Sequence, residues 1–193
     1  SADPATFTAL NEHYAMDKNK VYYCDEYRES QTYFLTKNQT VNIVDNADPA
    51  SFQAIDDDYA KDKNQAFFLG NSFKVKDVAS FEVVDRLFSK DKLQVYYNTQ
   101  FIPNIDGTSF ELINNNYAKD KDNYFIYGFP SEVISTPLLI TNTELPLEIL
   151  NYPFSKNSEK VFYKNEVIKN INPKTAVVVG SSYIKDDKNV FYE

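Results

Sequence analysis

Tryptophan is absent from these 193 residues, and cysteine and histidine occur once each, as Cys24 and His13. A single thiol leaves no internal disulfide and does not decide the redox compartment. A single imidazole leaves no zinc site of the usual kind. Cys24 and His13 could in principle form a dyad, but they stand on opposite sides of a predicted turn with no orienting motif. Glycine is scarce as well: Gly70, Gly107, Gly128 and Gly180 are the whole set. None forms a Gly-rich loop, which argues against a nucleotide-phosphate cradle. No apolar run approaches the roughly 18 residues of a membrane-spanning helix. Positive charge is in deficit, with 20 Lys and Arg against 28 Asp and Glu and a net charge of −8. That balance disfavours nucleic acid and anionic membrane surfaces, whose charge it repels. It suits a basic protein partner, and it also suits plain solubility of a Tyr-rich surface. Ser1-Ala2-Asp3-Pro4 carries neither a basic stretch nor an apolar one. Any signal peptide or lipidated cysteine is therefore expected to have stood before Ser1.

What is present in abundance is tyrosine and phenylalanine, 15 of each. They recur in a pattern. Tyr14-Ala15-Met16-Asp17-Lys18-Asn19 leads into Val21-Tyr22-Tyr23, and Tyr59-Ala60-Lys61-Asp62-Lys63-Asn64 into Ala66-Phe67-Phe68. Phe88, Tyr117, Phe154 and Tyr183 open four further copies, so the steps between leading aromatics are 45, 29, 29, 37 and 29. One 29-residue period with two insertions describes nearly the whole chain. Twenty-one of the 30 aromatics fall at the leading position, eight or nine residues after it, or seven before it. Aromatics confined to repeat positions are packing units before they are ligand platforms.

Eleven residues before each leading aromatic stand Asp3, Asp48, Asp77, Asp106, Thr143 and Asn172, side chains suited to an Asx turn or helix N-cap. Pro4, Pro49 and Pro173 follow in three copies. A capped turn or single helical turn is expected here, passing into the strand that carries the leading aromatic. Asp-Lys-Asn then predicts a tight turn with its carboxylate on backbone N–H groups. The β-branched and aromatic run after it reads as a strand returning antiparallel. Leu69-Gly70-Asn71, Asn98-Thr99-Gln100 and Lys164-Asn165-Glu166 read as further turns before a third short strand at Phe73, Ile102 and Ile168. Large apolar groups on both strand faces mean that one hairpin cannot bury itself and must stack on the next. Each buried ring contributes roughly 1.5–3 kcal/mol. The expected fold is mainly β: a single domain, 1–193, of about six stacked antiparallel β-hairpin repeats beginning near 3, 48, 77, 106, 143 and 172, with short capped helical turns.

Two segments break the period. Residues 25–47 read as an added β-hairpin, with Thr32–Leu35 and Thr40–Val44 as its strands. Residues 127–142 read as a Pro-punctuated apolar loop. Insertions in repeat proteins map to one face and often carry binding. Candidate partner-binding residues are therefore Asp25, Glu26, Tyr33, Phe34 and Phe129 on the insertions, with the acidic triplet Asp56, Asp57 and Asp58. The triplet could hold a cation or meet a basic partner, and it also fits a solvated turn. Asp-Lys-Asn lacks the oxygen layout of a calcium loop and places a lysine between the ligands, so turn geometry explains it better. Asn38-Gln39-Thr40 matches a glycosylation sequon by pattern only. No catalytic, metal or cofactor residue is assigned.

The motif Tyr-Ala-Lys-Asp-Lys-Asn-x-Val-Tyr-Tyr resembles that of the DKNYY family of bacterial repeat proteins. The match is clearest at Tyr14–Tyr23, Tyr59–Phe68 and Tyr183–Tyr192 and poorest at Phe154–Tyr163, where Asn157-Ser158-Glu159 replaces Asp-Lys-Asn. The resemblance implies no catalytic residues. It implies a secreted, periplasmic or lipid-anchored envelope protein, a cytoplasmic site remaining open, and by analogy a small acidic member suits a role as an immunity protein masking a basic toxin. The expected function is non-enzymatic protein binding, as an immunity protein or an envelope interaction module. The alternative is an envelope enzyme acting on polysaccharide or peptide, which needs two facing carboxylates roughly 5–10 Å apart.

Overall fold

The aspartate of each Asp-Lys-Asn turn is the residue around which a repeat closes. In the computed structural model, which describes residues 2–29, 34, 37–127, 138–142 and 146–192, Asp17 is buried and fully engaged. Its Oδ1 accepts the N–H groups of Asn19 at 2.7 Å and Lys20 at 2.8 Å. Its Oδ2 accepts the Asp3 N–H and the Tyr22 hydroxyl, both at 2.8 Å. The Asp3 N–H, opposed by burial but aided by the other donors, holds this carboxyl at about 2. Asp62, Asp91, Asp120 and Asp186 repeat the arrangement, each reaching the backbone N–H fourteen residues earlier. The early aspartates in turn receive the motif lysines: Lys18 on Asp3 and Lys63 on Asp48 at 2.8 Å, Lys92 on Asp77 at 2.6 Å and Lys121 on Asp106 at 2.5 Å. The Thr6, Ser51, Ser80 and Ser109 hydroxyls accept the N–H of those same lysines. One turn is thus fastened to the start of its own repeat by side chains alone.

The chain falls into two compact units, Ser1–Phe101 and Ile102–Glu193. In the first, one sheet holds β1 (Thr8–Ala9), β2 (Tyr14–Met16), β3 (Val21–Tyr27) and β4 (Asn38–Ile43). The next holds β5 (Gln53–Ala54), β6 (Tyr59–Lys61), β7 (Ala66–Phe68) and β8 (Asn71–Phe73). The third holds β9 (Glu82–Val83), β10 (Phe88–Lys90), β11 (Val95–Tyr97) and β12 (Gln100–Ile102), ending one residue past the unit boundary. The second unit has β13 (Glu111–Leu112), β14 (Tyr117–Lys119), β15 (Asn123–Ile126) and β16 (Leu138–Asn142). Then come β17 (Glu148–Asn151), β18 (Phe154–Lys156), β19 (Val161–Tyr163) and β20 (Glu166–Ile168), and last β21 (Val177–Val179), β22 (Tyr183–Lys185) and β23 (Val190–Tyr192). All six sheets are antiparallel meanders, and the return strand keeps one register throughout, Tyr14 opposite Tyr23 and Tyr183 opposite Tyr192.

The repeat thus has one strand more than the sequence suggests. Between the capped segment and the leading aromatic the chain makes a two-residue strand, then a second Asx turn at Asn11, Asp56, Asp85 or Asn114. Each of these accepts the N–H of the leading aromatic three residues on. The capped segment is a helical turn at Val78–Ser80, capped by Asp77, and an Asx turn at Asp3 and Asp48. The first insertion lengthens the return strand itself: β3 continues to Tyr27 and pairs with β4 through Asp25 opposite Thr40 and Glu26 opposite Gln39. Of the Thr32–Leu35 strand expected there, only Phe34 lies within the described residues. Leu138–Ile140, expected in a loop, is strand instead, pairing with β15 across a register shift between Tyr124 and Phe125. Its apolar, β-branched run completes the sheet of that copy.

Within each unit, successive sheets stack through rings. Tyr14, Val21 and Tyr23 share a cluster with Phe52, Ala60 and Phe67 of the next copy, and Tyr59 and Ala66 with Phe81. In the second unit Tyr117 and Ile126 meet Phe162, while Phe154 and Val161 meet Ala176 and Ile184. The Tyr14–Phe52 and Tyr59–Phe81 ring centroids lie 5.6 and 6.4 Å apart.

Between β11 and β12 the two-residue turn places Asn98 at φ 47° and Thr99 at φ 65°. Both being left-handed suits a hairpin of right-handed twist, but a β-branched residue is strained there. Thr99→Gly is expected to raise stability by about 1 kcal/mol, a few degrees in the melting midpoint. An unchanged or lower midpoint would show that the turn carries no such strain.

Candidate functional site

The first insertion does more than lengthen a hairpin. It carries β4 out to the edge of its sheet, with the Val41 and Ile43 side chains exposed. At Val44 the backbone N–H returns to the Val21 carbonyl at 2.9 Å, and the chain passes on to the second copy. Facing β4 across a gap is the Leu69-Gly70 turn between β7 and β8. Between them lies an open groove of about 780 Å³, lined by Val41, Ile43 and Asp45 on one side and by Leu69, Gly70 and Ser72 on the other. Tyr23 lines it as well. A Cβ on Gly70 would stand 2.7 Å from the Tyr23 Cβ, so only glycine allows the turn to lie on that ring. The Gly70 N–H also donates to the Tyr14 hydroxyl at 3.1 Å.

The acidic residues singled out from sequence gather around the same tyrosine. Burial first, and then the charges of Asp58, Asp25 and Asp57, push the Tyr23 phenol up to about 12. His13 stacks on the Tyr23 ring with centroids 5.6 Å apart and the planes inclined by 19°. Its Nδ1 lies 2.7 Å from the Cys24 carbonyl oxygen, and the Cys24 N–H donates to the His13 carbonyl. The imidazole therefore meets the backbone of Cys24. Glu26 is held below its usual range by Lys37, by the Gln39 amide and by His13.

The triplet is not three equivalent charges. Asp56, though exposed, folds its carboxylate back onto the N–H groups of Asp58 at 2.9 Å and Tyr59 at 2.6 Å. Asp58 pairs with the Arg86 Nε at 3.1 Å. Asp57 is exposed and makes no hydrogen bond or ion pair to the described residues. Phe34 is almost fully exposed. Tyr33 and Phe129 lie outside the described residues. The structure thus brings Asp25, Glu26, Asp57 and Asp58 to one neighbourhood and leaves Asp56 structural. Sequence reasoning did not single out Tyr23, Val41, Ile43, Asp45 or Gly70 for this site. The alternation of Val41, Ile43 and the glycine after Leu69 were the available signals.

Among the described residues no group of three or more His, Cys, Asp or Glu is placed to hold a metal ion. No helix there is long and apolar enough to cross a membrane. Two smaller grooves lie in the second unit. One, of about 660 Å³, includes Glu148, whose carboxylate lies 3.6 Å from the Lys156 ammonium; the other, of about 200 Å³, includes Glu166. Each of the three grooves presents a single carboxylate: Asp45, Glu148 or Glu166.

The model of the DKNYY family matches the chain twice, over residues 71–129 and 130–193. No curated protein and no solved structure matches it.

Proposed function

The chain belongs to the DKNYY family, and from that premise we propose that it is a non-enzymatic binding protein whose groove beside β4, with its acidic flank, takes a basic protein. The division of labour among carboxylates carries this reading. Those that recur in the first four copies, Asp17, Asp62, Asp91 and Asp120, are buried on backbone N–H groups of their own turns. Those outside the repeated pattern, Asp25 and Asp57, sit exposed around Tyr23 beside a groove built by the insertion. Within this reading, an immunity role in the cell envelope predicts one tight basic partner, and an envelope module several weak ones.

Charge reversal tests the reading. The double variant Asp25→Lys, Asp57→Lys is expected to retain its fold, because both side chains are exposed. It is expected to bind the partner captured from the producing cell at least about tenfold more weakly, since a like-charge contact costs more than a kilocalorie. Capture by the unmodified protein should also fall at about 0.5 M salt, where screening shortens to a few ångströms. Undiminished capture by the double variant, or no partner under any condition, overturns the proposal.

A further inference from the structure

The groove beside β4 runs along the edge of that strand. Val41, Asn42 and Ile43 all line it. Consecutive strand side chains point to opposite faces, so three in a row meet a groove only at the strand's edge.

β4 is the last strand of its sheet and pairs with β3 alone. The Val44 N–H on the Val21 carbonyl fixes the phase of that pairing. Bonded pairs then alternate along the strands, at Asn42 with Tyr23 and at Thr40 with Asp25. Cys24, opposite Val41, agrees with this phase, since its N–H donates away from β4 to the His13 carbonyl. The backbone N–H and C=O groups of Val41 and Ile43 therefore point away from β3, and among the described residues they have no hydrogen-bond partner. Such edges are ordinarily blunted by being short, by charge or by proline. β4 is six residues long, against two to five for the other described strands at sheet edges. Its Asn38–Ile43 run contains no charge, proline or glycine.

The two faces of this edge differ. Thr40 and Asn42 share theirs with Asp25 and Tyr23, directly opposite in β3. That is the acidic side, where the charges of Asp58, Asp25 and Asp57 act on the Tyr23 phenol. Val41 and Ile43 share the other face with Cys24 and Tyr22, and are themselves 63 and 50 % exposed. Glu26, on that second face opposite Gln39, is already paired with Lys37.

We propose that the groove takes its partner as an added strand: an extended segment that bonds its backbone to Val41 and Ile43, with basic side chains over Thr40 and Asn42 alternating with apolar ones beside Val41 and Ile43. It rests on the basic-partner proposal above and gives that partner a mode of contact. Main-chain bonds supply affinity, and the two unlike faces select the alternation. A second copy of this chain fits less well. Two β4 edges set together would join two acidic flanks, with no basic residue in either strand.

The probe is a synthetic peptide of about eight residues alternating valine with lysine, titrated calorimetrically into the full chain. The unmodified peptide is expected to bind. Methylating its amide nitrogens removes N–H donors and leaves the charge unaltered. In an antiparallel added strand the valine N–H groups face β4, and in a parallel one the lysine N–H groups do. Methylation of one set is therefore expected to weaken binding at least about tenfold, and of the other set to leave it within about twofold. Val41→Pro deletes only an outward N–H, so it should leave circular dichroism unchanged and weaken the unmodified peptide likewise. Two methylated peptides that bind alike, or no binding by the unmodified peptide, overturn the added strand. So does a dimer of the unmodified protein that Val41→Pro dissolves, which would put a second copy on β4. The Asp25→Lys, Asp57→Lys variant separates this proposal from the one before it. If that variant binds the peptide undiminished and still distinguishes the two methylated sets, the added strand stands and the basic partner falls. If it loses the peptide while the unmodified protein binds both methylated sets alike, the basic partner stands and the added strand falls.

Discussion

Asp91→Ala is expected to lower unfolding stability by about 4 kcal/mol, a large part of the 5–15 kcal/mol typical of a folded domain. Its Oδ1 accepts the N–H groups of Leu93 and Gln94, both at 2.8 Å. Its Oδ2 accepts those of Lys76 at 2.8 Å and Asp77 at 2.9 Å, and the Tyr96 hydroxyl at 2.8 Å. Truncation removes the common acceptor of five donors at a buried point, and each donor left without a partner costs on the order of a kilocalorie or more. Asp91→Asn should cost about half as much. Asn157 shows that an amide oxygen can serve the turn half of the arrangement, accepting the Glu159 and Lys160 N–H groups. An amide nitrogen facing the Lys76 and Asp77 N–H groups would set donor against donor.

The same carboxylate sets part of the acid sensitivity. Burial of Asp91 favours the neutral acid, but the Asp77 N–H and the other donors outweigh it and hold the group below its ordinary 3.8. Its contribution is therefore complete above that value and is lost as pH falls through the lower, folded one. Urea unfolding of Asp91→Asn should show a shallower loss of stability below pH ~4 than the unmodified protein. An acid limb of unchanged slope, or an alanine variant within about 1 kcal/mol of the parent, would remove the turn carboxylate from its central place.

This fastening was half legible in the sequence. That an Asp opening Asp-Lys-Asn bonds its own turn follows from local chemistry. That its second oxygen reaches back fourteen residues does not, because nothing local says which distant N–H will be adjacent. The lysine between Asp and Asn reads locally as a turn residue and as a disadvantage for calcium; its partner, the early aspartate of the same repeat, needs the fold. The fourth strand escaped for a similar reason. Two residues such as Thr8-Ala9 carry too little pattern to read as a strand, although Asn11, Asp56, Asp85 and Asn114 stood in register before each leading aromatic as a turn signal. The acidic neighbourhood was legible as composition. Its separation into an Asp56 bonded to its own turn, a paired Asp58 and an unpaired Asp57 depends on backbone geometry that three identical letters cannot display.

Gly70→Ala is expected to cost about 3 kcal/mol, and Gly180→Ala only about 1. Both glycines are left-handed, Gly70 at φ +73° and Gly180 at φ +78°, so both replacements meet the same conformational penalty. They differ in what the new methyl would touch. At Gly70 it would lie 2.7 Å from the Tyr23 Cβ and 2.9 Å from its Cγ, on a ring packed among Tyr14, Val21 and Phe52; at Gly180 nothing lies within 4 Å. The difference between the two losses therefore isolates the close approach of turn to ring from the cost of φ alone. It has a functional counterpart, since Tyr23 and Gly70 both line the groove. Displacing the turn should weaken partner capture in Gly70→Ala and leave it intact in Gly180→Ala. Equal losses of stability in the two variants would mean that the Leu69-Gly70 turn can move off the ring at no cost, and that side of the groove would then not be rigidly held.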